Sequence, residues 1–361
     1  MKRKLCFAYE GKVKRKLATK QAKEDMPEKS HKDEDIEIKG KKKTSKKLGV
    51  DERSGERSKS VEKTMMDKYK IVKKEDEIAK IRISPKVLSE MISLLSYEQQ
   101  TWVIDAGFGS LLHFDLGELP QRLAFKVLEA FDNESCMLKL QNGNIKITER
   151  EVYNVLGLPY EGDEVVIAQG DARHERIIQW RAQFSSNNDP TLIKASEVVN
   201  RIKQQRNVDE LFKMNFVVII TNVLIRSNTN NFLSQTILSF DDEFDNSAQY
   251  NWAAYLIKNL VITKERWMHK TSLFYTGPMI FLIILYADRV LYKGRQVVRR
   301  DNPSFRGWTK GRLREMESME SERGTFGSRA IFEAGSQERI PENQRITEDK
   351  ATNSTFILKK Y

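Results

Sequence analysis

The sequence predicts a mainly α-helical domain carrying one small β-hairpin at about 136–147. A disordered basic N-terminal tail and a polar C-terminal tail flank it. Three observations carry that expectation. Apolar residues recur at helical spacing through most of 81–310. Helix-start and helix-stop residues punctuate the pattern. Only one stretch, "CMLKLQNGNIKIT" at 136–148, alternates apolar and polar residues about an Asn-Gly pair.

The elements follow in order. Ser84 precedes Pro85, a start signal, and Leu88, Met91, Ile92 and Leu95 share one face. Ser96 and Gln99 have capping-box spacing, and Gly107 stands where that second helix should stop. A third helix begins near Pro120, with Leu123, Ala124, Val127, Leu128 and Phe131 facing inward. After the hairpin, Thr148 and Glu151 form another capping-box pair, Gly157 ends that helix and Pro159 blocks its return. Further helices are expected over 172–184, 192–206, 209–226, 249–262 and 278–292, with a short one at 309–320. Trp102, Trp180, Trp252 and Trp267 fall in or beside these helices as packing residues, whereas Trp308 suits either a contact or a docked tail.

"SLFYTGPMIFLIILYADRV" (272–290) is the most apolar stretch. Its uncharged part runs 17 residues, 271–287, and Gly277-Pro278 interrupts it. A membrane span needs about 20 consecutive apolar residues. The expectation is a central core helix that starts at Pro278 and stops at Lys293-Gly294, with no membrane crossing.

Charge separates the chain into two parts. Residues 1–80 hold 26 Lys+Arg against 16 Asp+Glu, a net of +10, leaving 36 against 35 in the remainder. The first part is too poor in apolar residues to offset its ordering entropy and reads as disordered. It contains three basic clusters that suit nuclear import: Lys2, Arg3 and Lys4; Lys14, Arg15 and Lys16; and Lys41, Lys42, Lys43, Lys46 and Lys47. The expected partition is a 1–80 tail with nonspecific nucleic-acid affinity, an 81–310 helical domain and a 311–361 polar, largely disordered tail. "LCFAY" near the start is too short for a secretory signal. Two cysteines, Cys6 and Cys136, fit a reducing compartment, here the nucleus.

No catalytic constellation emerges. His31, His113, His174 and His269 form neither HxxxH nor HExxH, so no metal site and no cofactor are expected. "GFGSLL" (107–112) lacks the lysine of a phosphate loop. The acidic runs "EGDE" (161–164) and "DDEFD" (241–245) read as solvated loops rather than cation ligands. Helices followed by a hairpin (84–147) also suit a winged helix, which would present Gln121, Arg122 and Lys126 to DNA. The near-neutral body disfavours that alternative.

"LSYEQQTWVIDAGFGSLLHF", "KITEREVYNVLGLP", "NWAAYLIKNLV", "FYTGPMIFLIILYADRV" and "GWTKGRLREMESME…GTFG" occur in this order. The set, roughly 81–330, resembles the plant mobile domain, often labelled aminotransferase-like. The version it resembles lies upstream of SUMO-type cysteine protease domains in plant transposon-derived proteins. The resemblance implies a non-catalytic nuclear protein of transposon origin whose helical domain serves protein interaction or assembly. Those proteases use a His–Asp–Cys triad with a glutamine. Cys136 is the only cysteine after Cys6 and no partnered histidine follows the pattern, so no catalytic residue carries over. A diverged protease relative lacking its peptidase domain is the remaining alternative.

Overall fold

A computed structural model describes residues 78–332, apart from 169–174, 185–188, 190, 269–273, 300 and 323–325. All of these belong to one compact unit, Met66–Tyr361. The fold is mainly helical, with a few short strands. Helices α1 (Lys86–Ser93) and α2 (Tyr97–Asp105) precede α3 (Gln121–Ala130) and the hairpin. Strand β1 (Lys80–Ile81) runs parallel to β7 (Phe274–Tyr275), tying the start of the fold to the approach of its central helix. Strands β2 (Phe131–Asp132), β3 (Met137–Leu140) and β4 (Gly143–Lys146) form an antiparallel sheet in that order. Then come α4 (Glu149–Leu156), β5 (Asp163–Glu164), α5 (Glu175–Ala182), α6 (Ala195–Gln204) and α7 (Glu210–Leu224). Strand β6 (Tyr250–Asn251), which pairs with β5, leads into α8 (Trp252–Met268), α9 (Met279–Arg289) and α10 (Lys310–Glu322).

The local signals work as physical devices. The Ser96 N–H donates to Gln99 Oε1 at 3.0 Å and the Gln99 N–H to Ser96 Oγ at 3.3 Å, a reciprocal cap on α2. Gly107 and Gly157 close α2 and α4 at φ +83° and +68°, a region where a side chain would be strained. At Gly157 a Cβ would also collide with Ser110.

Helices α7 and α9 form the centre. Every residue of α9 is buried, and it packs against α3, α4 and α7. Its 11 residues span about 16 Å, half the thickness of a bilayer core. No helix among the described residues is long and apolar enough to cross a membrane.

Several boundaries differ from expectation. The fold begins before residue 81: the Ala79 N–H donates to Gln121 O at 3.0 Å, and Lys80 lies in β1. It continues past 310, since Leu313, Met316 and Met319 of α10 are buried and residues 326–332 pack on the hairpin and Val290. Three well-spaced apolar residues suffice to dock a helix whose other positions are charged. Residues 333–361 lie outside the described residues. Helix α8 runs to Met268 rather than 262. Helix α9 ends at Arg289, and Lys293-Gly294, both at positive φ, instead turn the chain between Tyr292 and Arg295. Leu140 pairs with Gly143, so the hairpin's loop residues are Gln141 and Asn142 rather than Asn142 and Gly143. Opposing Leu138 to Ile145 on the core side fixes that register; a one-residue slip would turn one of them to solvent. Trp308 is buried, so the docked alternative holds.

Candidate functional site

A cleft of about 220 Å³ opens where four segments meet. Asn144, Ile145 and Lys146 of β4 form one wall, Thr148 and Glu151 at the start of α4 a second. Arg289, the last residue of α9 and nearly buried, also lines it, as do Ile331 and Phe332. The sequence explains each position. Thr148 caps α4 by accepting the Glu151 N–H at 3.3 Å. The Phe332 N–H donates to Arg289 O at 2.7 Å, which pins the last segment across the end of α9.

Arg289 is 5% exposed and ion-pairs through Nη2 with Glu151. Its Nη1 donates weakly to Phe332 O at 3.4 Å, and Nε has no hydrogen-bond partner among the described residues. The expected capping box at Thr148 is therefore half made. Glu151 turns to the guanidinium instead of back to the Thr148 N–H, because a buried cation without a counter-charge costs more than an uncapped amide that water can reach.

Other charged groups are absorbed at helix ends and in the interior. Glu317 of α10 accepts the N–H groups of Arg122 and Leu123 at 2.8 and 2.9 Å, capping the start of α3. Lys264 donates to Leu128 O at 2.5 Å, placing a cation at the other end of α3. Burial lowers the Lys264 ammonium to about 8. Arg329 Nε donates to Glu320 Oε1 at 2.6 Å, with both side chains 2% exposed, and its Nη2 donates to Met319 O. Beside them, burial raises the Tyr286 phenol, and the Glu320 carboxylate adds to that shift.

The two acidic runs converge, as the backbone bond from Asp241 N–H to Val166 O shows. Four of their carboxylates have partners: Glu164 with Lys258, Glu243 with Arg176, Asp242 with the Tyr250 hydroxyl at 2.6 Å, and Asp245 with both Lys213 Nζ and Trp102 Nε1 at 2.6 Å. The hydrogen bond to Asp242 pushes the Tyr250 phenol up to about 12. Among the described residues no group of three or more His, Cys, Asp or Glu side chains is placed to hold a metal ion.

Gln121 and Arg122 are exposed and Lys126 is half-buried, so α3 displays these residues as the winged-helix alternative requires. The Glu317 carboxylate and α10, however, occupy the N-terminal end of that helix. Cys136 is half-buried at φ +53°, in the bend that leads into β3, and its carbonyl accepts the Ile147 N–H. His113 is partly buried, and burial together with Arg306 lowers its pKa. His31, His174, His269 and all the nuclear-import residues lie outside the described residues.

Residues 81–283 match the family described as a domain of unknown function, DUF8566. The match covers more than half of the chain. The chain belongs to this family. No curated protein and no solved structure matches it. Most of the cleft wall, from Asn144 to Glu151, lies inside the matched region, whereas Arg289, Ile331 and Phe332 lie beyond it.

Sequence reasoning missed Arg289, Lys264 and the Glu320–Arg329 pair as interior charges. Arg289 had one signal, a cation ending the most apolar helix of the chain, which is a position that demands a partner.

Proposed function

We propose that this DUF8566 protein is a non-catalytic nuclear protein of transposon origin, related to the plant mobile domain. Its helical body acts as a protein-interaction or assembly module, and its basic N-terminal segment contributes nonspecific affinity for nucleic acid. The observation that carries this reading is the division of charge: +10 over residues 1–80 against a remainder of 36 basic and 35 acidic residues. Electrostatic attraction to phosphate then belongs to the N-terminal segment. The body's interior charges are held by one another or by helix ends, as in Arg289–Glu151, Arg329–Glu320 and Lys264 on the end of α3, which supports a scaffold role. The Glu317 cap on α3 counts against reading DNA with that helix, because a carboxylate there repels phosphate and α10 blocks the approach.

The test is fluorescence anisotropy with random duplex DNA across a salt series, using the full chain and residues 66–361. The shorter chain is the compact unit, and it lacks the 21 Lys+Arg and 12 Asp+Glu of residues 1–65. Salt-sensitive binding by the full chain only is the expected result. Retained, sequence-selective binding by 66–361 would overturn the proposal.

A further inference from the structure

Strand β4 is the outer strand of its sheet, because β3 lies between it and β2. The register decides which way its backbone faces. Residue 136 opposes 147, and the Ile147 N–H donates to Cys136 O at 3.0 Å, so this is a hydrogen-bonded pair. Pairs alternate along an antiparallel ladder. Leu138–Ile145 and Leu140–Gly143 are then bonded pairs as well, whereas Met137–Lys146 and Lys139–Asn144 are not. The N–H and C=O groups of Asn144 and Lys146 accordingly point away from β3. Both residues line the cleft, and among the described residues no backbone group bonds to these outward groups. An open strand edge of this kind is a template for another strand.

The surroundings narrow the occupant. Lys146 and Arg289 bring two cations to the cleft against the single carboxylate of Glu151. Ile331 and Phe332 supply an apolar lining to the same cleft, with Ile331 Cδ1 beside Gly143 of β4. We infer that the open edge of β4 receives an extended, acidic segment of a partner protein. The segment adds as a further strand through the backbone of Asn144 and Lys146, with a carboxylate directed at Lys146 and alternate apolar side chains on Ile331 and Phe332. The inference rests on the proposed interaction-module function and names the class of partner.

The test uses the full chain and a fluorescein-labelled octapeptide of alternating valine and glutamate, read by anisotropy. Three control peptides accompany it: a lysine-for-glutamate version, a version N-methylated on one face of the backbone, and one N-methylated on the other. Saturable binding should fall at least tenfold with the lysine peptide and with one N-methylated peptide only. It should fall similarly in Lys146→Glu, an exposed substitution that leaves the core intact. Hydrogen exchange over 141–148 should slow on binding. Equal affinity for all four peptides, or unchanged exchange at 141–148, would overturn the inference. So would binding that emerges only after residues 333–361 are removed, which would assign the edge to the chain's own C-terminal segment. The DNA experiment with residues 66–361 is independent of this edge, so the two readings fail separately.

Discussion

Two buried ion pairs of the same chemistry sit in opposite settings. Glu320–Arg329 is sealed, each side chain 2% exposed, beside Tyr286 and with Arg329 over the Tyr292 ring. Arg289–Glu151 is nearly as buried but lines an open cleft. In the sealed pair, losing one partner strands the other in a medium that cannot solvate it. At the cleft, water or an incoming group can take the lost partner's place. Burial of a charge therefore says little about function until it is known what faces it.

The largest effect is expected for Glu320→Ala. An uncompensated Arg329 should cost about 3–5 kcal/mol, read as a fall in the urea midpoint. A double replacement of Glu320 and Arg329 by methionine and leucine should recover most of that loss. If the single substitution costs under about 1 kcal/mol, the sealed pair is not sealed in solution.

Lys264 sharpens the comparison, as a buried cation held by a carbonyl and, among the described residues, in no ion pair. Its folded pKa, about 8, lies below the ordinary lysine value, so the unfolded chain binds the extra proton between about pH 8 and 10.5. Its contribution to stability should rise with pH across that window. The gain is about 1–3 kcal/mol in total. Buried tyrosines such as Tyr275, raised by burial, oppose this above pH 10. The readout is therefore the difference from Lys264→Met, whose stability should lack the rise. A flat difference would mean that Lys264 is solvated.

Glu151→Gln should cost less than Glu320→Ala, about 1–2 kcal/mol, because the cleft admits water to Arg289. An equal or greater cost would erase the distinction between the two pairs. Lys86→Ala provides the surface baseline. It breaks the exposed 3.2 Å pair with Glu90, and its expected cost is about 0.3–0.5 kcal/mol by thermal melting.

Much of the helical framework was legible because its signals are local. Ser96 with Gln99, Gly157 and the Thr148 hydroxyl each act on backbone groups within four residues. The hairpin was visible as a change of period, but its turn was placed one residue late, since the deciding contact is between Leu138 and Ile145 across the strands. The end of the fold was missed for a similar reason. Leu313, Met316 and Met319 look sparse in a charged stretch, and their worth depends on α3 being there to receive the helix that carries them. Of the cleft, Thr148 and Glu151 were noticed as a cap, but nothing local ties Glu151 to Arg289, 138 residues away.

The sequence by itself determined the mainly helical class, the core role of 279–289 and the division between a basic N-terminal segment and a near-neutral body. Each follows from composition and short-range periodicity, which the chain carries wherever its parts end up in space. Only the tertiary structure decided which charges are buried, which of them meet, and which strand edge faces a cleft. Those are properties of residues far apart in the chain, and they exist only once packing has excluded water from one pair and left it beside the other.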